Sequence, residues 1–178
     1  MPNGFASRLR VALALAVAAF FVGVSASFGA FGLSSSAAPS FSVTLNGQDQ
    51  RPTYRMDLTV DNTDPGQTLA GWNLTISTTR FTTGGARPKT LSTNASSNTG
   101  VSFECAVAPP LCTSDPTNSV AYPIALTAGS APVKFFNAAA TTGTGTFTLA
   151  PTVQVAIPAN AYAGTYSSTL TMTLATGP

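Results

Sequence analysis

The side chains that carry most hydrolytic and transfer chemistry are scarce in this chain, which has no histidine, eight Lys or Arg and six Asp or Glu. A serine nucleophile would have to take a lysine or a carboxylate as its base, so acyl transfer is not expected. Asp57 and Asp61 share one face of an alternating stretch. Four residues at ~3.3 Å each set them about 13 Å apart, beyond the carboxylate spacing of glycosidases, and they read as solvated strand residues. Asp61, Asn62 and Asp64 carry donor atoms suited to calcium. The segment lacks the further acidic ligands of an EF-hand loop, so an Asx turn ahead of Pro65 is the expected use. Neither an enzyme nor a cofactor site is expected.

Cys105 and Cys112 enclose the six residues Ala106 to Leu111. That spacing is not the CxxC of a redox pair, and a chain without histidine offers zinc too few ligands. A disulfide closing a loop is expected, worth about 2–3 kcal/mol in the chain-entropy view. Trp72 is the only tryptophan and is in phase with Leu74 and Ile76. Core packing is the first expectation for it; a ring open on one face would instead stack on sugar. Arg80, Arg87 and Lys89 surround Thr82-Thr83-Gly84-Gly85; a merely solvated loop is the first expectation, and contact with anionic wall polymers is the other. Asn73-Leu74-Thr75 and Asn94-Ala95-Ser96 match the glycosylation sequon, a pattern frequent by chance in chains rich in Asn, Ser and Thr.

These side chains sit on stretches with a period of two. Tyr54, Met56, Leu58 and Val60 alternate with Arg55, Asp57, Thr59 and Asp61, and Trp72, Leu74 and Ile76 alternate with Asn73, Thr75 and Ser77. Each reads as a half-buried strand, with turn residues from Asp61 to Gly66 between them. Val153, Val155 and Ile157 form another, and Tyr166, Leu170, Met172 and Leu174 alternate with threonines and a serine near the end. Weaker strands are expected at 41–45, 101–107, 120–126, 133–136 and 146–149, and Phe136 to Ala140 has room for one helical turn.

Ahead of these strands, Arg8 and Arg10 precede the uncharged apolar run Val11 to Val24, and Val24-Ser25-Ala26 supplies small residues for cleavage. This is the pattern of a secretory signal peptide. Cleavage at Ser36-Ala37-Ala38, or an uncleaved anchor running to Leu33, are the other readings. The chain has no cysteine in the leader and no apolar tail, so no covalent anchor is expected. Export places the cysteines in an oxidising compartment. It also removes two of the eight basic residues, leaving six against six acids. A balance that even carries no footprint for nucleic acid, and the membrane is met only through the leader if it stays attached.

The fold expected is all-β, a single immunoglobulin-like β-sandwich after an N-terminal signal-peptide helix. The signal covers 1–26, with cleavage as late as 38, a linker covers 27–40, and the sandwich covers 41–178.

Leu58-Thr59-Val60-Asp61-Asn62 followed by Gly71-Trp72-Asn73-Leu74-Thr75-Ile76 resembles the first signature of the WxL domain of Gram-positive surface proteins. The block from Val153 to Ala159, then Ala163-Gly164-Thr165-Tyr166 and Leu170-Thr171-Met172-Thr173-Leu174, is similar to that family's C-terminal block. The two agree in order and separation over roughly residues 41–178. One departure is the second Trp-x-Leu motif, which falls on Met172-Thr173-Leu174. If the family's tryptophans touch ligand, that change alters binding; if they are core, methionine fills the space. The Cys105–Cys112 loop is the other departure. The resemblance implies a secreted, non-catalytic module held non-covalently at the cell surface by peptidoglycan or an associated wall polymer, often beside other surface proteins. The alternative is a structural surface subunit, of pilin or spore-coat type, that assembles by β-strand exchange.

Overall fold

Alternation of large apolar with polar residues commits a chain to strands whose two faces differ, and two such sheets bury their apolar faces against each other. A computed structural model describes residues 10–14, 16–19, 31–106 and 112–178, and in it these strands form two sheets packed as a β-sandwich. The strands in chain order are β1 (Arg10–Ala14), β2 (Ala16–Ala19), β3 (Phe31–Ser35), β4 (Ser40–Thr44), β5 (Thr53–Arg55) and β6 (Leu58–Asn62). They continue as β7 (Trp72–Thr78), β8 (Ser96–Cys105), β9 (Ile124–Leu126), β10 (Val133–Ala138), β11 (Gly145–Val155) and β12 (Thr169–Thr176).

The larger sheet runs β3-β6-β11-β8-β9, with β5 also paired to β11, and the smaller runs β10-β7-β12-β2. All pairings in both are antiparallel except that of β2 with β12. A separate pair joins β1 to β4. The expected signal peptide, its helix and its cleavage site lie outside the described residues, apart from Arg10–Ala14 and Ala16–Ala19, which are extended.

The faces follow the alternation. Tyr54, Met56, Leu58 and Val60 are buried, as are Trp72, Leu74 and Ile76 in the facing sheet. Phe135, Phe136, Phe147, Leu149, Val153 and Val155 complete the middle of the core. Burying a Leu, Ile or Phe contributes about 1.5–3 kcal/mol each, so this cluster outweighs the ~2–3 kcal/mol from closing the short disulfide loop. That disulfide joins Cys105 to Cys112 across a Cα separation of 6.1 Å.

Four differences separate this fold from the expectations drawn from alternation and composition. The run from Tyr54 to Val60 divides at Met56 and Asp57, because Met56 faces Pro151. The Met56 N–H donates to the Pro151 carbonyl at 3.3 Å, but a proline nitrogen has no hydrogen to return. Conversely, Thr146–Leu149 and Val153–Val155 join into one strand, since the missing donor of Pro151 faces that break. The helical turn proposed at Phe136 gives way to β10, which pairs with β7 as far as Ala138 opposite Trp72. Lastly, the stretch 27–40, expected as a linker, contains β3: Leu33 enters the core at 8 % exposure and pairs with Val60.

Candidate functional site

The Trp-x-Leu residues lie inside the sandwich. Trp72 and Leu74 are fully buried, Met172 is 2 % exposed, and Leu174 is half-buried. Strands β7 and β12 are neighbours, with Leu174 opposite Leu74 and Met172 opposite Ile76. The two signatures are therefore one two-stranded unit of the core. Trp72 has no open ring face for a sugar: its indole packs on Phe136 at 5.6 Å between centroids, and its N–H donates to the Gly143 carbonyl at 2.9 Å. Asn62, fully buried, donates from Nδ2 to the same oxygen, also at 2.9 Å. Methionine at 172 fits this setting, because an unbranched thioether side chain fills irregular core space.

The acidic segment also serves the fold. The Asp64 carboxylate accepts from the Gly66 N–H at 2.8 Å, the expected Asx turn, and Asp61 accepts from the Thr63 hydroxyl at 2.7 Å. Among the described residues, no three His, Cys, Asp or Glu side chains gather as a metal site would require.

The outer face of the larger sheet, by contrast, is accessible. Thr59, Thr148 and Glu104 lie abreast on β6, β11 and β8. Beside them Arg55 extends across the face, and its guanidinium Nη2 donates to the Ser102 hydroxyl at 2.9 Å. Arg55, Asp57, Ser102, Glu104 and Thr148 line a shallow hollow of about 180 Å³. Asp57 reaches it because the alternation continues through the break, with Tyr54, Met56 and Leu58 buried and Arg55 and Asp57 exposed. The hollow thus combines one guanidinium, two carboxylates and two hydroxyls, a set that hydrogen-bonds uncharged sugars and pairs with ammonium or carboxylate groups. Alternation alone places Arg55 and Asp57 on the wet face of their strand; that Ser102 and Glu104 lie beside them depends on the pairing of β8 with β11.

The family model of the WxL domain, a surface cell wall-binding domain, matches residues 22–178. The chain belongs to the WxL family. No curated protein matches it significantly. A WxL domain is a cell-surface, cell wall-binding module, and the chain is assigned to that location and that general role. In this WxL domain the namesake residues hold the sheets together, so the surface that meets the wall must come from other side chains. A second accessible cluster lies at one end of the sandwich, where Arg80, Arg87 and Lys89 are exposed around a hairpin and Lys89 Nζ stands 4.1 Å from the ring centroid of Tyr162.

Proposed function

We propose that this WxL domain attaches non-covalently to peptidoglycan through the outer face of its larger sheet and performs no catalysis. The observation that carries the reading is the hollow between Arg55, Asp57 and Glu104 beside a row of hydroxyls. Glycan strands present hydroxyls and amides to Thr59, Thr148 and Ser102, while stem peptides present carboxylates to Arg55 and ammonium groups to Asp57 and Glu104. The absence of histidine removes the commonest general base, in keeping with a binding role. Other surface proteins are further partners under this reading.

Co-sedimentation of the secreted protein with purified sacculi tests it. Saturable pelleting is expected, weakened several-fold by Arg55→Ala with Glu104→Ala, two exposed positions whose loss leaves the core intact. Full-strength pelleting of the double variant would move the contact elsewhere, and absence of pelleting by folded wild-type protein would end the peptidoglycan reading.

A second reading rests on the edge of the smaller sheet. There β12 takes Ala16–Ala19 as a parallel neighbour, with Leu170 opposite Val17. Removal of a leader containing that segment would leave β12 as an open edge able to accept a strand of another chain. A concentration-dependent ladder on gel filtration supports strand exchange; a sharp monomer at all concentrations argues against it.

A further inference from the structure

The charges of this domain are segregated along the strand axis. Residues 31–178 contain six cations and six acids. Pairing fixes their levels: Asn62, Trp72 and Gly145 lie at one end, Thr78, Ala95 and Val155 at the other. Asp61, Asp64 and Asp115 belong to the first end, with Glu104 next to it. Arg51, Arg80, Arg87 and Lys89 belong to the opposite end, together with a single acid, Asp49, whose Oδ1 accepts from the Ala159 N–H at 2.8 Å. Lys134, opposite Thr75 in the sheet, and Arg55 and Asp57 lie between.

The basic end is a braced structure. Phe81 is buried beneath it, and the Leu91 N–H donates to its carbonyl, so the segment 82–90 leaves and re-enters the core at neighbouring points. Within the segment Thr83 N–H donates to the Lys89 carbonyl at 2.9 Å, and Lys89 N–H returns to the Thr83 hydroxyl at 2.9 Å. Thr82 also bridges to Ser167, which docks the hairpin on the segment carrying Tyr162. The buried Tyr166 hydroxyl donates to the Tyr162 carbonyl at 2.9 Å and fixes that backbone. Tyr162 is 61 % exposed, and its ring holds the Lys89 ammonium by cation–π attraction.

We infer that the hairpin bearing Arg80, Arg87 and Lys89, with Tyr162 as a positioning residue, is a second wall-contact site that takes a polyanionic chain polymer, phosphodiester or uronate, threaded between the peptidoglycan strands. Three cations on one braced loop suit a repeating anion better than a neutral glycan, because each neutralised repeat releases a counterion. Charge alone selects the end: a polyanion is attracted to four cations against one acid and repelled by the acidic end. The site lies away from the Arg55 hollow and rests on the wall-binding role of the domain, not on the hollow itself.

The experiment uses the secreted protein with three wall preparations: intact sacculi, sacculi freed of phosphodiester polymers by hydrofluoric acid, and sacculi freed also of uronate polymers. Intact walls are expected to retain several-fold more protein than walls freed of both, at about 50 mM salt; by analogy with nucleic acids, neutralising three charges costs affinity about a hundredfold by about 500 mM salt. The preparation at which the excess disappears names the anion. Arg87→Glu with Lys89→Glu should abolish the excess while leaving binding to fully stripped walls unchanged. Tyr162→Phe should keep the excess and Tyr162→Ala should reduce it, as expected of a ring that positions Lys89. An equal yield on all three preparations, or an undiminished excess in the charge-reversed variant, overturns the inference. So does tighter binding to phosphatidylglycerol vesicles than to intact walls, which would make the patch a membrane contact. Loss of all binding to stripped walls, with the excess intact, would instead sink the peptidoglycan reading and leave this one standing.

Discussion

The indole N–H of Trp72 donates to the carbonyl oxygen of Gly143 at 2.9 Å, linking β7 to the turn before β11 and so one sheet to the other. The same oxygen receives the Asn62 amide from β6. Both donors are fully buried, and a buried donor left without a partner costs about 1–3 kcal/mol. The signature tryptophan is therefore a clamp at one end of the sandwich.

Trp72→Phe should lower stability by about 1–3 kcal/mol, through a lost hydrogen bond and an unfilled volume. Wall pelleting by the folded protein should stay at the wild-type level, since the residue has no exposed surface. Urea denaturation and sacculus co-sedimentation on the same preparation separate the two effects; loss of pelleting with unchanged stability would contradict a core role.

Gly143→Ala should be more damaging than its size suggests. The residue has φ +68°, and an added Cβ would lie 2.6 Å from the Ala138 Cβ and 2.7 Å from Trp72 Nε1. Left-handed strain and overpacking together are expected to cost about 2–4 kcal/mol. Tryptophan fluorescence gives the specific readout, because the indole must shift to admit the methyl group.

Much of this arrangement is visible in the sequence as alternation, because a strand with one wet face records its burial in every second residue: Leu58 and Val60, Leu74 and Ile76, Leu170 and Met172. Relations across strands are not recorded that way. Nothing near Gly143 indicates that its carbonyl serves residues 71 and 81 positions earlier, and Pro151 reads as a strand end until the gap at Met56 opposite it is known. The hollow is hidden for the same reason, since Arg55 and Ser102 meet only through the common neighbour β11.

The place of β3 bears on processing. Cleavage after Ala38 would delete Phe31–Ser35 and take Leu33 from the core, exposing β6 as an edge. Intact-mass measurement of the secreted protein should give an N-terminus ahead of Phe31, in keeping with cleavage after Ala26. A mature chain beginning at Pro39 would show that the sheet stands without β3.

Stability should fall on the alkaline side. Burial raises the phenol pKa of Tyr54, Tyr122 and Tyr166 above the usual value near 10. The folded state thus keeps these protons more tightly than the unfolded state, so their contribution is complete below pH ~10 and is lost as pH rises through the folded values. Thermal scans between about pH 8 and 12 should show Tm declining from about pH 10, and Tyr54→Phe should soften that decline.

The chain enters β3 at Phe31, opposite Asn62, and leaves β12 at Thr176, opposite Trp72, so both points lie at the clamped, acidic end. This sets how the domain bears mechanical load. Tension between those two points would peel β3 and β12 outward one rung at a time, a weak geometry. Tension between the chain and the far hairpin at 82–90 runs parallel to the strands and shears every rung from Leu170 to Thr176 together. A domain gripped at the hairpin and pulled through its chain ends is loaded along its strong direction.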